Sequence, residues 1–348
     1  MHYDEAKEAG LNALQLLRGL PAEAFRGAGV RIGNLLLPLM VQEYIGALNV
    51  YLALPFIAAL GPTASALRLL PVLMGAFTLV LVYLLARELA RSHRGPATAA
   101  VLLLAVNPSF IFWSRQGIFV TNITALLFVS SLFAACHWWR TRHPSALYLL
   151  AFLWGLGLWA KLLFAWAVGA MLVWGGLALV NRRKQATGRI GMRIALRQGV
   201  VAAACFLVGI LPLLLFNIRT GGTLASVLNN LGTSYYGVRN AAFADNLAER
   251  LRQIVTLLRG DHFWYLGGTA ANLSAPWIAG GLIAVAVMAA LFRILSPHPY
   301  VSDKGRYSQD EQAAGVGSPP TPNTIAVGVG WAPGLRPTHG RGGISGGW

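Results

Sequence analysis

The sequence predicts an all-α fold, a polytopic bundle of transmembrane helices, from three observations. Hydrophobic residues make up 56% of the 348 residues and charged residues only 11%, whereas a soluble domain carries roughly 25% charged residues. The apolar residues fall in long runs, as a bilayer-crossing helix of about 20 residues requires. Arginines cluster at the ends of these runs, which is typical of loops that contact anionic lipid.

About seven apolar runs are candidates for membrane spans. They are residues 67–86, 96–113, 122–139, 146–160, 162–181, 199–217 and 273–293. If the crossings alternate, every arginine cluster falls on one side of the membrane, which the positive-inside rule makes cytoplasmic. The net charge of +16 is then explained by these loops and not by a nucleic-acid partner.

The stretch before the bundle is predicted to be an outer loop, residues 1–66. Residues 5–18 have a loosely helical apolar period, which indicates an interfacial helix. Residues 35–60 are apolar but contain Glu43 and two prolines, so a re-entrant or surface-lying segment fits better than a span. Because nothing precedes this outer loop, the chain is predicted to be a fragment that lacks a first transmembrane helix.

The remaining chain divides by composition into a bundle and a tail. Residues 67–293 form the predicted bundle, whose outer loop, 218–272, contains a second interfacial helix. Apolar residues mark this helix at helical spacing: Leu247, Leu251, Ile254, Val255 and Leu258. Residues 294–348 are Gly/Pro-rich and are predicted to be a disordered or aberrant tail.

The rare acidic pair Asp4–Glu5 is the first candidate for chemistry. The chain has only 12 Asp and Glu residues, and the predicted topology places this pair outside the membrane. One carboxylate there can act as a general base toward an acceptor hydroxyl. The alternative is structural, because Asp4 before a helical run is also a good helix N-cap.

Two cations on the outer side are candidates for binding a phosphate. Lys161 is the only charge in the run from Ala146 to Val180, and a lysine at such a place is costly unless it has a function. Arg115, with Gln116 beside it, opposes the charge bias of the outer side and can pair with a phosphate or a carboxylate. Each cation also has a structural explanation. Lys161 could simply mark the boundary between two short spans, and Arg115 could extend its side chain to the membrane interface.

Weaker candidates follow in the outer loops. His262 lies among aromatic residues that could line a sugar site or form an interfacial belt. Asn122 opens a glycosylation sequon, which is expected to be incidental because it begins a span. Walker loops, dinucleotide-binding glycines, zinc-ligand spacings and nucleophile elbows are absent from the sequence, which argues against a nucleotide-driven pump.

Several segments together resemble the multi-pass GT-C glycosyltransferases, of the protein-mannosyltransferase-like and aminoarabinose-transferase-like group (families 39 and 83). These are the acidic pair in the first outer loop, the run Tyr44–Pro55, the run Leu67–Arg87, Asn107–Pro108 with Ser114–Arg115–Gln116, and Gly155–Lys161. The resemblance covers residues 1–293. The family's second acidic residue, after the arginine of the second outer turn, is missing here, and Asn122 replaces it in position only.

The resemblance implies a hexosyl- or pentosyltransferase that takes a sugar from a polyprenyl-phosphate carrier. The acceptor would be a lipid, glycan or protein of the cell envelope, on the outer, periplasmic face of a bacterial cytoplasmic membrane. Asp4, with Glu5 beside it, would be the catalytic base. Lys161 or Arg115 would lie near the donor phosphate, with Gln116, Asn122 and His262 in the binding site.

The predicted transferase needs no cofactor that the sequence identifies, and no residues are assigned as metal ligands. The use of a divalent cation is left open. Two alternatives to the transferase are kept. The first is a transporter or flippase, which would show inverted repeats and paired charges inside several spans. The second is an inactive fragment of the glycosyltransferase.

Overall fold

The computed structural model describes a mostly helical chain. It covers residues 10–19, 28–33, 35–90, 93–116, 120–183, 192–233, 237, 239–259 and 272–295. The chain divides into two compact units, Met1–Leu282 and Ile283–Trp348. The elements described below belong to the first unit. The exception is the last helix, whose end belongs to the second unit.

The described residues form a series of helices, named here in chain order. Before the first long helix come α1 (Asn12–Leu17) and α2 (Leu48–Leu60). The central helices are α3 (Ala64–Leu89), α4 (Arg94–Ala105), α5 (Pro108–Trp113), α6 (Thr121–Thr141), α7 (Pro144–Ala160), α8 (Ala165–Arg183) and α9 (Met192–Thr220). The last are α10 (Gly222–Asn229), α11 (Phe243–Arg259) and α12 (Ala275–Leu295).

Four short strands lie between α1 and α2, where the sequence predicted none. Strands β1 (Gly29–Ile32) and β2 (Leu35–Pro38) pair antiparallel, with Gly29 opposite Pro38. Strands β3 (Met40–Gln42) and β4 (Ile45–Gly46) form a second antiparallel pair with an irregular register. Residues 35–46, predicted as part of a re-entrant or surface-lying segment, therefore contribute the second strand of one small hairpin and the whole of another before the chain enters α2.

The prediction of a helical membrane protein is confirmed, whereas seven spans are not. Among the described residues, three helical stretches are long and apolar enough to cross a bilayer: Ala64–Leu89, Thr121–Thr141 and Leu196–Thr220. Shorter apolar helices occupy other predicted spans, including α7, which has 17 residues. Many of their side chains are exposed, as lipid-facing residues of a bundle are: Leu172 is 58% exposed and Ile218 is 81% exposed.

The predicted span 96–113 is interrupted by a change of direction at Asn107. This residue has an extended ψ of 120°, because the proline that follows disfavours the helical conformation of its predecessor. The Asn107 side chain then caps α5 by accepting a hydrogen bond of 2.9 Å from the Phe110 N–H. One apolar run thus becomes two short helices, α4 and α5.

The predicted helix around residues 247–258 is present as α11. Its apolar residues are largely exposed in the described structure, Leu251 at 57% and Ile254 at 51%, as expected for a helix that has an apolar face and no protein layer over it. Ser109 on α5 approaches it, with its hydroxyl 3.5 Å from the Leu257 carbonyl oxygen. Its position at a membrane surface stays a prediction.

Glycines allow α7 and α9 to approach each other closely. A Cβ atom added to Gly155 would lie 2.8 Å from the Ile210 backbone nitrogen, and one added to Gly209 would lie 2.7 Å from the Leu156 nitrogen. Small residues at such a crossing let helix backbones meet, which is how helices commonly associate in membranes. This contact fixes the end of α7 relative to the end of α9, and both ends carry residues of the site described next.

Candidate functional site

Lys161 occupies the point where α7 ends. It leaves the helix with an extended backbone (φ −158°, ψ 124°), while its N–H still donates to the Gly157 carbonyl oxygen at 3.0 Å. The backbone pairs with Ile45 of β4 in an antiparallel bridge, and the Leu162 N–H donates to the Tyr44 carbonyl oxygen at 2.9 Å. The half-buried lysine is therefore held between an apolar helix and a hairpin, and we call this side of the bundle the lysine end.

Trp159 fixes the chain next to this hairpin. Its indole N–H donates a 2.7 Å hydrogen bond to the Leu39 carbonyl oxygen, and its ring lies 6.2 Å from that of Tyr51. Only glycine fits beside it at position 46, since a Cβ there would lie 2.7 Å from the indole Cδ1 atom. The hairpin thus rests directly on the last turn of α7.

Tyr51 adds a second support from α2. Its hydroxyl donates to the Pro38 carbonyl oxygen at 2.7 Å. Burial raises the pKa of Tyr51 to about 12, so the phenol keeps its proton and remains a donor at neutral pH. Helix α2 has only 13 residues and contains Pro55, so it supports the hairpin from outside the long spans.

Glu43 forms the turn between β3 and β4 and is held by α10. The Thr223 hydroxyl donates to the Glu43 carbonyl oxygen at 2.5 Å, and Thr223 is only 5% exposed. A cavity of about 140 Å³ opens beside this contact. Its lining comes from the hairpin and from the junction of α9 and α10: Ala28, Met40, Val41, Gln42, Glu43, Phe216, Thr220 and Gly222.

The loop between α5 and α6 brings two of the predicted site residues together. The Asn122 amide donates to the Gln116 carbonyl oxygen at 2.8 Å, and Asn122 is 8% exposed. Arg115 follows α5 directly and is exposed. The side chain of Asn122 therefore helps to hold the backbone of this loop at Gln116.

Buried apolar residues connect this loop to the lysine end. Val120 and Ile123, close to Asn122 in the chain, belong to the same buried cluster as Ile45, the bridge partner of Lys161, and Ala160, which precedes Lys161. The cluster places the loop carrying Gln116 and Asn122 at the same end of the bundle as Lys161. Their location on the outer side of the membrane stays a prediction.

Three predicted site residues, Asp4, Glu5 and His262, lie outside the described residues. Within the described ranges, no three His, Cys, Asp or Glu side chains come together as a metal-binding group. The hairpin carrying Glu43 was not predicted as part of the site. Its only signal in the sequence was a charged residue inside an apolar stretch.

Comparison with known families identifies one similarity. The family model described as dolichyl-phosphate-mannose-protein mannosyltransferase matches residues 47–218, just under half of the chain. No curated protein and no solved structure shows detectable similarity to the chain. The matched stretch runs from the start of α2 almost to the end of α9, so it includes Lys161 and the loop with Arg115, Gln116 and Asn122.

The predicted resemblance to protein mannosyltransferases is thus supported over this stretch. The finer resemblance to aminoarabinose transferases stays a prediction. Similarity to this family suggests a membrane glycosyltransferase that uses polyprenyl-phosphate sugar donors.

Proposed function

We propose that this chain transfers a sugar from a polyprenyl-phosphate carrier to an acceptor on the outer face of a bacterial cytoplasmic membrane. The observation that carries the proposal is the family match over residues 47–218, which includes Lys161 at the junction of the apolar helix α7 and the β3–β4 hairpin. A donor with a lipid tail and a phosphate head needs this combination of an apolar path and a cation at its end.

Lys161 would bind the donor phosphate. The sugar leaves this phosphate during transfer, so negative charge grows on the phosphate oxygens, and a fixed cation stabilises that charge where water is scarce. The bridge between Ile45 and Lys161 and the hydrogen bond from the Leu162 N–H to the Tyr44 carbonyl oxygen hold the backbone around the lysine. They fix the point at the end of α7 from which the lysine side chain extends.

Asp4 would be the general base, with Glu5 beside it. It takes the proton of the acceptor hydroxyl as the acceptor oxygen forms a bond to the anomeric carbon. The bond between that carbon and the phosphate oxygen breaks, and polyprenyl phosphate leaves with both electrons. This assignment comes from the family resemblance and the predicted topology of the first outer loop.

The remaining predicted residues would shape the substrate site around this reaction. Arg115 and Gln116 follow α5 at the lysine end and would contact the donor phosphate or sugar. Asn122 would hold the loop that presents them, through its hydrogen bond to Gln116. His262, in the outer loop between α11 and α12, would contribute to the sugar or acceptor site.

The test is a transfer assay with the purified full chain and a panel of hexose- and pentose-loaded polyprenyl phosphates. We expect the wild-type chain to release polyprenyl phosphate, and Asp4→Asn to abolish this release while inserting into membranes normally. Asp245→Asn is the matched control, because Asp245 is an exposed carboxylate at the start of α11. Undiminished transfer by Asp4→Asn would refute its role, and a wild type inactive with every donor would refute the function.

A further inference from the structure

An apolar groove of about 830 Å³ opens at the other end of the bundle. Its walls come from the last turns of α3, the second half of α6, residues 147–154 of α7, and the middle of α8 and of α9. We call this the arginine end, because Arg87, Arg140 and Arg142 lie at the ends of α3 and α6. The volume falls in the range of roughly 300–1,000 Å³ that is typical of ligand pockets.

Small residues keep the groove open, and aromatic rings form its walls. Gly175 on α8 has no atom within 4 Å of the position that a Cβ would take. Ala202 on α9 lines the same space. The rings of Trp139 and Trp174 face each other in the wall at 6.0 Å. A site with these mostly apolar walls accepts a hydrocarbon chain.

A cation is fixed at the mouth of the groove. The Arg142 guanidinium lies 5.1 Å from the centre of the Trp138 ring and 4.7 Å from that of Trp139, within the range of cation–π contacts. Both rings line the groove. Arg142 adopts the left-handed conformation, with φ 57°, which non-glycine residues rarely do. This turn of the backbone directs the arginine over the aromatic wall.

The charge around the mouth is positive in the part of the chain that the structure describes. Glu88 is the carboxylate at this end, and it is already paired: Arg140 lies 3.1 Å from its Oε1 atom, and His137 lies 3.8 Å away. Arg87, one residue before Glu88, adds another positive charge. An amphiphile with a negative head and an apolar chain complements this mouth and groove.

From this geometry we infer that the groove binds an anionic phospholipid, with an acyl chain between α6, α7, α8 and α9 and the headgroup phosphate at Arg142. The site is separate from the proposed donor site, because the lining of the groove on α7 ends at Trp154 and does not include Lys161, which follows the end of that helix. The inference does not depend on the proposed transferase activity. The lipid would come from the leaflet that the arginine-rich loops face.

The test compares lipid retention by native mass spectrometry of the purified full chain, using phosphatidylglycerol and phosphatidylcholine with identical acyl chains. We expect the wild type to retain phosphatidylglycerol about fivefold more strongly, as one basic residue near an anionic headgroup provides. Gly175→Leu should place a branched side chain in the path of the acyl chain and lower the retention of both lipids. Gly169→Leu, on the same helix and equally open but outside the groove, should retain both as the wild type does.

A second variant keeps the test decisive if Gly175→Leu does not fold. Arg142→Asn removes the charge, while asparagine tolerates the left-handed conformation, so it should lower phosphatidylglycerol retention to the phosphatidylcholine level. Equal retention of the two lipids by the wild type, or unchanged retention by Gly175→Leu, would overturn the inference. So would displacement of phosphatidylglycerol by polyprenyl phosphate, or a second copy of the chain bound in place of lipid.

Discussion

The indole N–H of Trp159 donates a 2.7 Å hydrogen bond to the carbonyl oxygen of Leu39, 120 residues earlier in the chain. This bond joins the last turn of α7 to the stretch between the two hairpins. The Leu39 carbonyl also accepts from the Ala47 N–H at 3.2 Å. Two donors on one carbonyl fix the base of the β3–β4 hairpin next to Lys161.

Replacing Trp159 should loosen this junction. Trp159→Phe keeps an aromatic ring but removes the donor, and Leu39 retains only its bond from Ala47, so we expect a loss of about 1 kcal/mol in unfolding free energy. Thermal unfolding in detergent measures it. Trp166→Phe is the matched control, because Trp166 is 80% exposed and should leave the transition unchanged. Equal changes in unfolding temperature for the two variants would mean that the hydrogen bond from Trp159 does not contribute to stability.

The contact between Thr223 and Glu43 should control the mobility of the same hairpin from the other side. Thr223→Val preserves the shape of the side chain but removes the hydroxyl donor, at a cost of about 1 kcal/mol, and Thr223→Ser keeps the donor. We expect faster amide hydrogen exchange over residues 39–46 in the valine variant and near-normal exchange in the serine variant. Identical exchange in both variants would show that the hairpin does not depend on α10.

The crossing of α7 and α9 should not tolerate a side chain at Gly155. A methyl group there would meet the backbone of Phe206 and Ile210, and backbone cannot move aside as a flexible side chain can. We expect Gly155→Ala to lower stability by about 1–3 kcal/mol, measured by thermal unfolding.

Gly169→Ala provides the comparison for this crossing. It lies in open space on α8, where alanine is favoured over glycine in a helix, so its stability should be equal to or above that of the wild type. A Gly155→Ala protein as stable as Gly169→Ala would contradict the close helix crossing.

The helices were predictable because of the bilayer, whereas the β3–β4 hairpin was not. The β1–β2 hairpin did carry a turn signal, Gly33–Asn34, which the apolar character of the stretch outweighed. In hydrocarbon every backbone polar group must be satisfied within the segment or by its neighbours, so long apolar runs such as 64–89 point to helices without any tertiary information. Residues 35–46 are also mostly apolar, and their turn at Glu43–Tyr44 lacks the Gly, Asn or Pro residues that mark turns. Their partners, Lys161 and Thr223, are more than a hundred residues away.

In the candidate site too, one part could be predicted from the sequence and another could not. Lys161 was identifiable because a lone charge in an apolar run is costly unless it has a function. The surroundings of Lys161 were not identifiable, since the Ile45 bridge and the Trp159 bond join distant segments through backbone groups that every residue carries. The sequence Asn107–Pro108 did indicate a break between two helices. The span 96–113 was nevertheless predicted as continuous because the apolar run around this pair is long.

The central claim is that Lys161 stabilises the phosphate of a polyprenyl-phosphate donor. The most direct measurement is release of polyprenyl phosphate by Lys161→Met and Lys161→Arg, with Arg197→Gln, an exposed charge near the start of α9, as the control. We predict that the methionine variant loses about a hundredfold in rate, that the arginine variant retains much of it, and that the control matches the wild type. A methionine variant that releases polyprenyl phosphate at the wild-type rate would contradict the account.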